Sequence, residues 1–218
     1  MTEKIDFENL GYKKKNEKSF VIFFVYVIIV LFLSSIFNFK YAFVPIAGSS
    51  MENTFHSGDV VLVSLDKDAN YGDVVIIKDE KVDEFNGKLY SYLIIKRVIA
   101  LGGDVVKFKD GNVYLKKSGE SEFALLQEDY IKEQNSTFYP FADDDTCTGE
   151  SEEIYIPQGE YFYLGDNRTN SRDSRTTEYF TCKRNQIVGV VTSGAIERKQ
   201  TSTNFYNFAQ SVYSFFGI

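Results

Sequence analysis

The 218-residue chain has 31 acidic against 24 basic side chains and a formal net charge of −7, which argues against nucleic acid as a partner. Its single histidine, His56, and its two cysteines, which lack C-x2-C spacing, exclude the common His/Cys metal sites. Any histidine-based hydrolase mechanism has one candidate base, and no cofactor or metal is expected.

Residues 1–19 carry Lys4, Lys13, Lys14, Lys15 and Lys18, whereas Lys40 is the only base in the first stretch after residue 20. Between them Phe20–Phe37 (FVIFFVYVIIVLFLSSIF) has no charge, and its 18 residues reach roughly 27 Å as a helix, close to a bilayer's hydrocarbon core. The positive-inside bias predicts one pass at the plasma membrane, with 1–19 cytoplasmic, 20–38 the anchor, and everything from about residue 40 outside. A cleaved secretory leader shares the basic front but ends in a small-x-small exit, which Phe37-Asn38-Phe39-Lys40-Tyr41 does not supply. The lipid bilayer is therefore the first expected partner.

Past the anchor the periodicity is that of strands. Gly-Asp-Val-Val occurs at 58–61, 72–75 and 103–106, each time with turn chemistry leading into a β-branched run. Further strands are predicted at Tyr92–Ala100, Asn112–Lys116, Tyr161–Leu164 and Ile187–Ser193, so the class is mainly β, antiparallel and partly closed. Residues 117–160 concentrate acids, read as a solvated insertion or small second domain, which leaves 39–116 and 161–198 as the core. Cys147 in that insertion and Cys182 both fall outside the membrane, where a disulfide can persist; whether they pair stays open. In the tail, 199–218, Phe205, Phe208, Val212, Phe215 and Phe216 form a stripe suited either to a membrane surface or to the β core.

Chemistry enters with a serine and a lysine. A serine hydroxyl needs a base within hydrogen-bond reach, and a lysine amine at its ordinary pKa of about 10.4 is protonated and cannot serve. Burial lowers it, and Lys96 ends the apolar run Tyr92-Leu93-Ile94-Ile95.

Three segments in order, Gly48-Ser49-Ser50-Met51-x-x-Thr54-Phe55, Lys96-Arg97-Val98-Ile99-Ala100-Leu101-Gly102-Gly103-Asp104 and Gly165-Asp166-Asn167-Arg168-Thr169-Asn170-Ser171-Arg172-Asp173-Ser174-Arg175, resemble the signature boxes of bacterial type I signal peptidases. The resemblance spans roughly residues 20 to 195, behind an N-terminal anchor as in that family. It implies the family's antiparallel β fold and release of signal peptides from exported preproteins at small-x-small sites. By resemblance Ser50 is the nucleophile and Lys96 the general base, with Ser171 holding the lysine amine. Asp173 and Arg175 form an ion pair with Arg97 near them.

The Ser50 N–H is one oxyanion donor. Family members that add a serine hydroxyl two positions earlier have it where this chain has Gly48, so a backbone donor there or the Ser49 hydroxyl must serve. Asn53 stands where the family usually has proline, and Phe55 where it typically has leucine. Peptides bind such enzymes by strand addition, with Phe43, Val44, Pro45, Ile46 and Ala47 on one side and Tyr92, Leu93, Ile94 and Ile95 on the other.

Two other classes compete with this reading. A non-catalytic, membrane-anchored protein serving surface-protein assembly would be favoured by loss of Ser50 or Lys96, and both are present; a specialised enzyme with few substrates stays open. A self-cleaving Ser-Lys regulator would carry a DNA-binding module in place of the anchor. A β-lactamase-like enzyme needs S-x-x-K, and Ser50 is followed by Met51-Glu52-Asn53.

Overall fold

The computed structural model describes residues 17–52, 54–82, 89–131, 151–176 and 180–192. Cys147, the tail stripe and Asn53 lie outside the described residues.

Glu17–Lys40 forms one helix, α1, uninterrupted by glycine or proline and with Lys40 in its last turn, where a cation complements the helix dipole. Its 24 residues rise about 36 Å, and Phe20–Phe37, uncharged and exposed apart from the half-buried Val27, is apolar on all sides but for Ser34 and Ser35, as suits a helix surrounded by lipid. The chain divides after Lys40 into this helical unit and a β unit.

In the β unit the strands are β1 (Tyr41–Pro45), β2 (Val60–Ser64), β3 (Val74–Val82), β4 (Leu89–Leu101), β5 (Val105–Lys109), β6 (Asn112–Lys116), β7 (Ala124–Leu125), β8 (Ile154–Tyr155), β9 (Glu160–Leu164), β10 (Cys182–Lys183) and β11 (Ile187–Val191). A 3₁₀ turn, Arg184–Gln186, leads into β11. Seven strands make one sheet in the order β1-β2-β11-β3-β4-β9-β10, and four make a second in the order β7-β6-β5-β8. All pairings are antiparallel. The expected antiparallel β class holds, but both sheets are open. The acidic segment contributes β7 and β8 to the smaller sheet.

All three Gly-Asp-Val-Val copies begin strands, and all three are built alike. Gly58, Gly72 and Gly103 adopt φ of 99°, 77° and 94°, a left-handed geometry that glycine reaches without Cβ strain. The aspartate that follows accepts a hydrogen bond from the N–H three residues before it: Asp59 from His56 at 2.8 Å, Asp73 from Asn70 at 3.0 Å and Asp104 from Leu101 at 2.8 Å. These are side-chain-locked turns in which the short carboxylate replaces a missing backbone acceptor.

The strand β11 lies between β2 and β3 and, among the described residues, joins the β1–β2 pair to the β3–β4 pair in the sheet order. Along β4 a bulge between Val98 and Ala100 breaks the alternation against β9, which is why Val98, Ile99 and Ala100 are all buried. Ile99 and Ala100 pack with Val106, Phe108, Val113, Ile156 and Phe162 in the core shared by the two sheets. Pairing with β9 covers only Arg97–Leu101, so Leu89–Lys96 have β3 on one side and no strand partner on the other among the described residues.

Cys182 is a free, buried thiol packed with Ala69, Val75 and Tyr163, not half of a disulfide in this structure. Burial, with a smaller effect of Glu160, pushes it up to about 12, so it is inert as a nucleophile.

Candidate active site

Ser50 sits on the loop between β1 and β2. The loop's base is closed by Ile46 N–H to the Asp59 carbonyl and Gly58 N–H to the Ile46 carbonyl, both 2.8 Å. Immediately after the serine, Thr54 and Phe55 donate to the Met51 carbonyl, making one helical turn. Met51 and Phe55 plunge into a core of Val61, Val63, Val74, Ile76 and Ile95, so the residue after the serine anchors it. At Phe55 the larger ring is simply part of this core.

Lys96 comes from the end of the half-paired stretch of β4, directly opposite Val75. It is 3% exposed, and its Nζ donates to Ser50 Oγ at 2.7 Å and to the Ile95 carbonyl at 3.0 Å. Burial is the largest influence on this amine and drives it down; Asp173 pulls it up, Arg175 pushes it down and Asp166 pulls it up. The net result is a pKa lowered to about 8.

The 165–175 turn closes over both groups. Asp173, fully buried, accepts Arg175 Nε at 2.8 Å and Nη2 at 2.9 Å in a two-pronged pair, and the Gly165 N–H at 3.0 Å. Burial alone would raise this carboxyl, but the hydrogen bond and charge of Arg175 outweigh it and hold it below the ordinary carboxylate range.

Arg97, expected near that pair, takes a different carboxylate of the same turn. It grips Asp166 with Nε at 2.8 Å and Nη2 at 2.6 Å, donates Nη1 to the Gly72 carbonyl, and stacks 3.9 Å from the Tyr130 ring centroid. The register explains this, because Arg97 is opposite Leu164, two residues from Asp166. Thr54 also donates its hydroxyl to Asp166, so one carboxylate ties the serine loop to the lysine strand.

Ser171 was expected to hold the lysine amine. Its hydroxyl is buried against Gly165 and makes no hydrogen bond to Lys96. It lies beside the Asp173 carboxylate and makes a minor contribution to holding that group down. The lysine's donors go instead to Ser50 and Ile95.

Gly165 permits the close approach. A Cβ there would stand 2.2 Å from Ser171 Oγ and 2.5 Å from the Ser50 carbonyl. We expect Gly165→Ala to lose about 1–3 kcal/mol of stability by overpacking and to lower turnover, checked by thermal unfolding and a cleavage assay.

Glu128, taken with the acidic run as solvated, pairs instead with the buried Arg168, which meets its Oε2 through Nη1 at 2.9 Å and its Oε1 through Nη2. Ser49 and Gly48 remain at the surface side of the loop; the Ser49 hydroxyl accepts from Asn170 Nδ2 at 2.9 Å. His56 is exposed in the first aspartate-locked turn, 3.8 Å from Asp59.

Beside the serine runs a cleft of about 140 Å³ lined by Val44, Pro45, Ile46, Ala47, Ser50, Ile76, Leu93, Ile94, Ile95 and Lys96. Two predicted residues miss it: Tyr92 turns its hydroxyl to Asp79 on β3, and Phe43 lies on β1 away from the lining. Ile76 joins it because β3 places it opposite Ile95, a pairing that no periodicity announces.

The chain matches the model of the family described as signal peptidase, peptidase S26, over residues 18–194. It is 32% identical over 169 residues to signal peptidase I U of Bacillus subtilis (strain 168), covering 75% of this chain and 80% of the relative. Signal peptidase IB of Staphylococcus aureus (strain MRSA252) is 27% identical over 208 residues, covering 93% of this chain and 96% of the relative. The crystal structure of a signal peptidase I from Enterococcus faecalis V583 aligns with 58% of this chain and 98% of its own, at 29% identity and a TM-score of 0.37. A serine and a buried lysine in hydrogen-bond contact, on a chain matched along most of its length, identify a member of the bacterial type I signal peptidases, serine endopeptidases of family S26.

Proposed function

We propose that the protein cuts signal peptides from exported preproteins with a Ser50–Lys96 dyad, from a domain held at the outer face of the plasma membrane by α1. The observation that carries this reading is the 2.7 Å contact between Ser50 Oγ and the buried Lys96 Nζ. The neutral amine takes the hydroxyl proton as Oγ attacks the scissile carbonyl carbon. The oxyanion that develops is met by the Ser50 N–H. Collapse breaks the C–N bond as Lys96 returns the proton to the leaving amine, and a water activated by the same amine then hydrolyses the acyl-enzyme. Asp173–Arg175 and Asp166–Arg97 hold the walls of this site without touching the reacting atoms.

The preprotein lies extended in the cleft. The edge of β4 at Leu93–Ile95, without a strand partner among the described residues, offers backbone hydrogen bonds on one side and Val44–Ala47 line the other, an arrangement suited to strand addition. The short aliphatic walls favour small side chains at alternate positions. The lysines preceding α1 orient the N-terminus to the cytoplasm.

The test is cleavage of a preprotein with an Ala-x-Ala exit by the purified full chain in detergent or liposomes. Its pH dependence follows from the lysine. Because the base must be neutral and its pKa is lowered to about 8, kcat/KM is expected to rise through a limb centred near that value and level off above it. A limb near 10.4, the ordinary lysine value, would remove the buried-amine mechanism.

A further inference from the structure

Among the described residues, Asn167 reaches both peptide planes flanking Ser50, sharing the Ser49 carbonyl with the Glu52 N–H, which donates to it from within the loop at 3.0 Å. The Asn167 side-chain Nδ2 donates to the Ser49 carbonyl at 3.0 Å, and its own backbone N–H donates to the Ser50 carbonyl, also at 3.0 Å. The amide cannot readily turn over, because Thr169 Oγ1 donates to Asn167 Oδ1 at 3.0 Å and thereby presents Nδ2 to Ser49. Gly165, with no side chain between the turn and the Ser50 carbonyl, lets the segment come this close.

A trans peptide unit is planar, with its C=O and N–H pointing in opposite directions. The peptide joining Ser49 to Ser50 is trans, as are all peptide bonds among the described residues. Whatever fixes the Ser49 carbonyl therefore fixes the direction of the Ser50 N–H on the other side of the same plane. A hydrogen bond accepted by that carbonyl also polarises the unit and strengthens its N–H as a donor.

We propose that Asn167 is a positioning residue that aims the Ser50 N–H at the oxyanion, acting from outside the site through the Ser49 carbonyl. This rests on the peptidase reading above and deepens it. In a chain with Gly48 two positions before the nucleophile, no side-chain hydroxyl stands there to share the oxyanion, and the aim of the remaining backbone donor matters correspondingly more. Neither Thr169 nor Asn167 touches the reacting atoms.

The experiment compares wild type, Ser50→Ala and Asn167→Leu, which keeps the side chain's size and removes its donor. Three quantities are measured on the full chain: kcat and KM for an Ala-x-Ala peptide, affinity for a peptide aldehyde ending in alanine, and the unfolding temperature. The aldehyde adds the serine O–H across its carbonyl, and the resulting hemiacetal oxygen occupies the oxyanion position, so its affinity reports that donor while KM reports peptide binding. For Asn167→Leu, kcat and aldehyde affinity are expected to fall together by about tenfold to a hundredfold, with KM within about twofold of wild type.

An unchanged kcat overturns the proposal. So does a loss in which KM rises and aldehyde affinity falls no more than substrate affinity, because that is what general loosening of the turn does. If Asn167→Leu does not fold, Asn167→Asp keeps the backbone donor and the size while losing the side-chain donor, and the same comparison decides. A wild type that cuts nothing, like Ser50→Ala, overturns the peptidase reading itself; a wild type that cuts while Asn167→Leu keeps pace overturns only the positioning role.

Discussion

Ser50→Ala and Lys96→Ala are each expected to abolish preprotein cleavage, by at least about a thousandfold in kcat, while leaving the fold intact. As the proposed nucleophile and base the two act as one unit, so either loss removes the same step, and the double variant should be no worse than either alone. The Ser50 side chain is half-buried and the alanine leaves only a small gap, so the unfolding temperature should barely move. His56→Ala should cut at nearly the wild-type rate, because that imidazole is 64% exposed and engaged in a turn with Asp59. Cleavage measured on one Ala-x-Ala preprotein decides the matter. A Lys96 variant that still cuts, with a His56 variant that does not, would replace the dyad by a histidine mechanism.

The second large effect is on stability. Asp173→Ala removes the carboxylate that takes the Arg175 fork in a pair whose side chains are 0% and 4% exposed, so a buried guanidinium loses that counter-charge. Loss of one partner from a buried pair costs about 3–5 kcal/mol, a large share of the stability of an ordinary domain. Arg175 also donates to the Arg168 carbonyl at 2.8 Å, so the variant should loosen the whole 165–175 turn and lower activity even where the chain remains folded. Urea unfolding of the full chain in detergent gives the number. Asp68→Ala is the control, since its partner Arg184 is exposed and surface pairs contribute little. Equal behaviour of the two variants would mean that the buried pair is not holding the turn.

What could be read in advance was whatever is local. The three Gly-Asp-Val-Val turns are closed within four residues each, and the glycine and aspartate that build them are adjacent in sequence. The same holds for Asp110-Gly111 between β5 and β6, a left-handed pair whose sequence signal marks a tight hairpin. Arg97 went to Asp166 because antiparallel register aligns β4 with β9, and nothing in the composition of either segment says which of two nearby acids it meets. Charge alone offered Asp166 and Asp173 equally. Tyr130 and Glu128 looked like loop, yet they lie against Arg97 and Arg168, because an acidic run in sequence has no means of showing which of its members finds a buried arginine. Ile76 is invisible for a similar reason: its role in the cleft comes from a neighbour on another strand.

The placement of β11 sets the order in which this enzyme can come into being. Ser50 hangs between β1 and β2, Lys96 on β4 beside β3, and the strand that joins these two pairs in the sheet is synthesised after all the other described strands. The pairings of β11 with β2 and β3 close loops of more than a hundred residues, which makes them slow relative to the hairpins made first. A growing chain thus carries the proposed nucleophile and base on two strand pairs that β11 has yet to join, and cleavage is expected only once synthesis has passed residue 191. In refolding, recovery of cleavage should lag behind recovery of strand content, and a chain arrested before β11 should be harmless to every preprotein it meets.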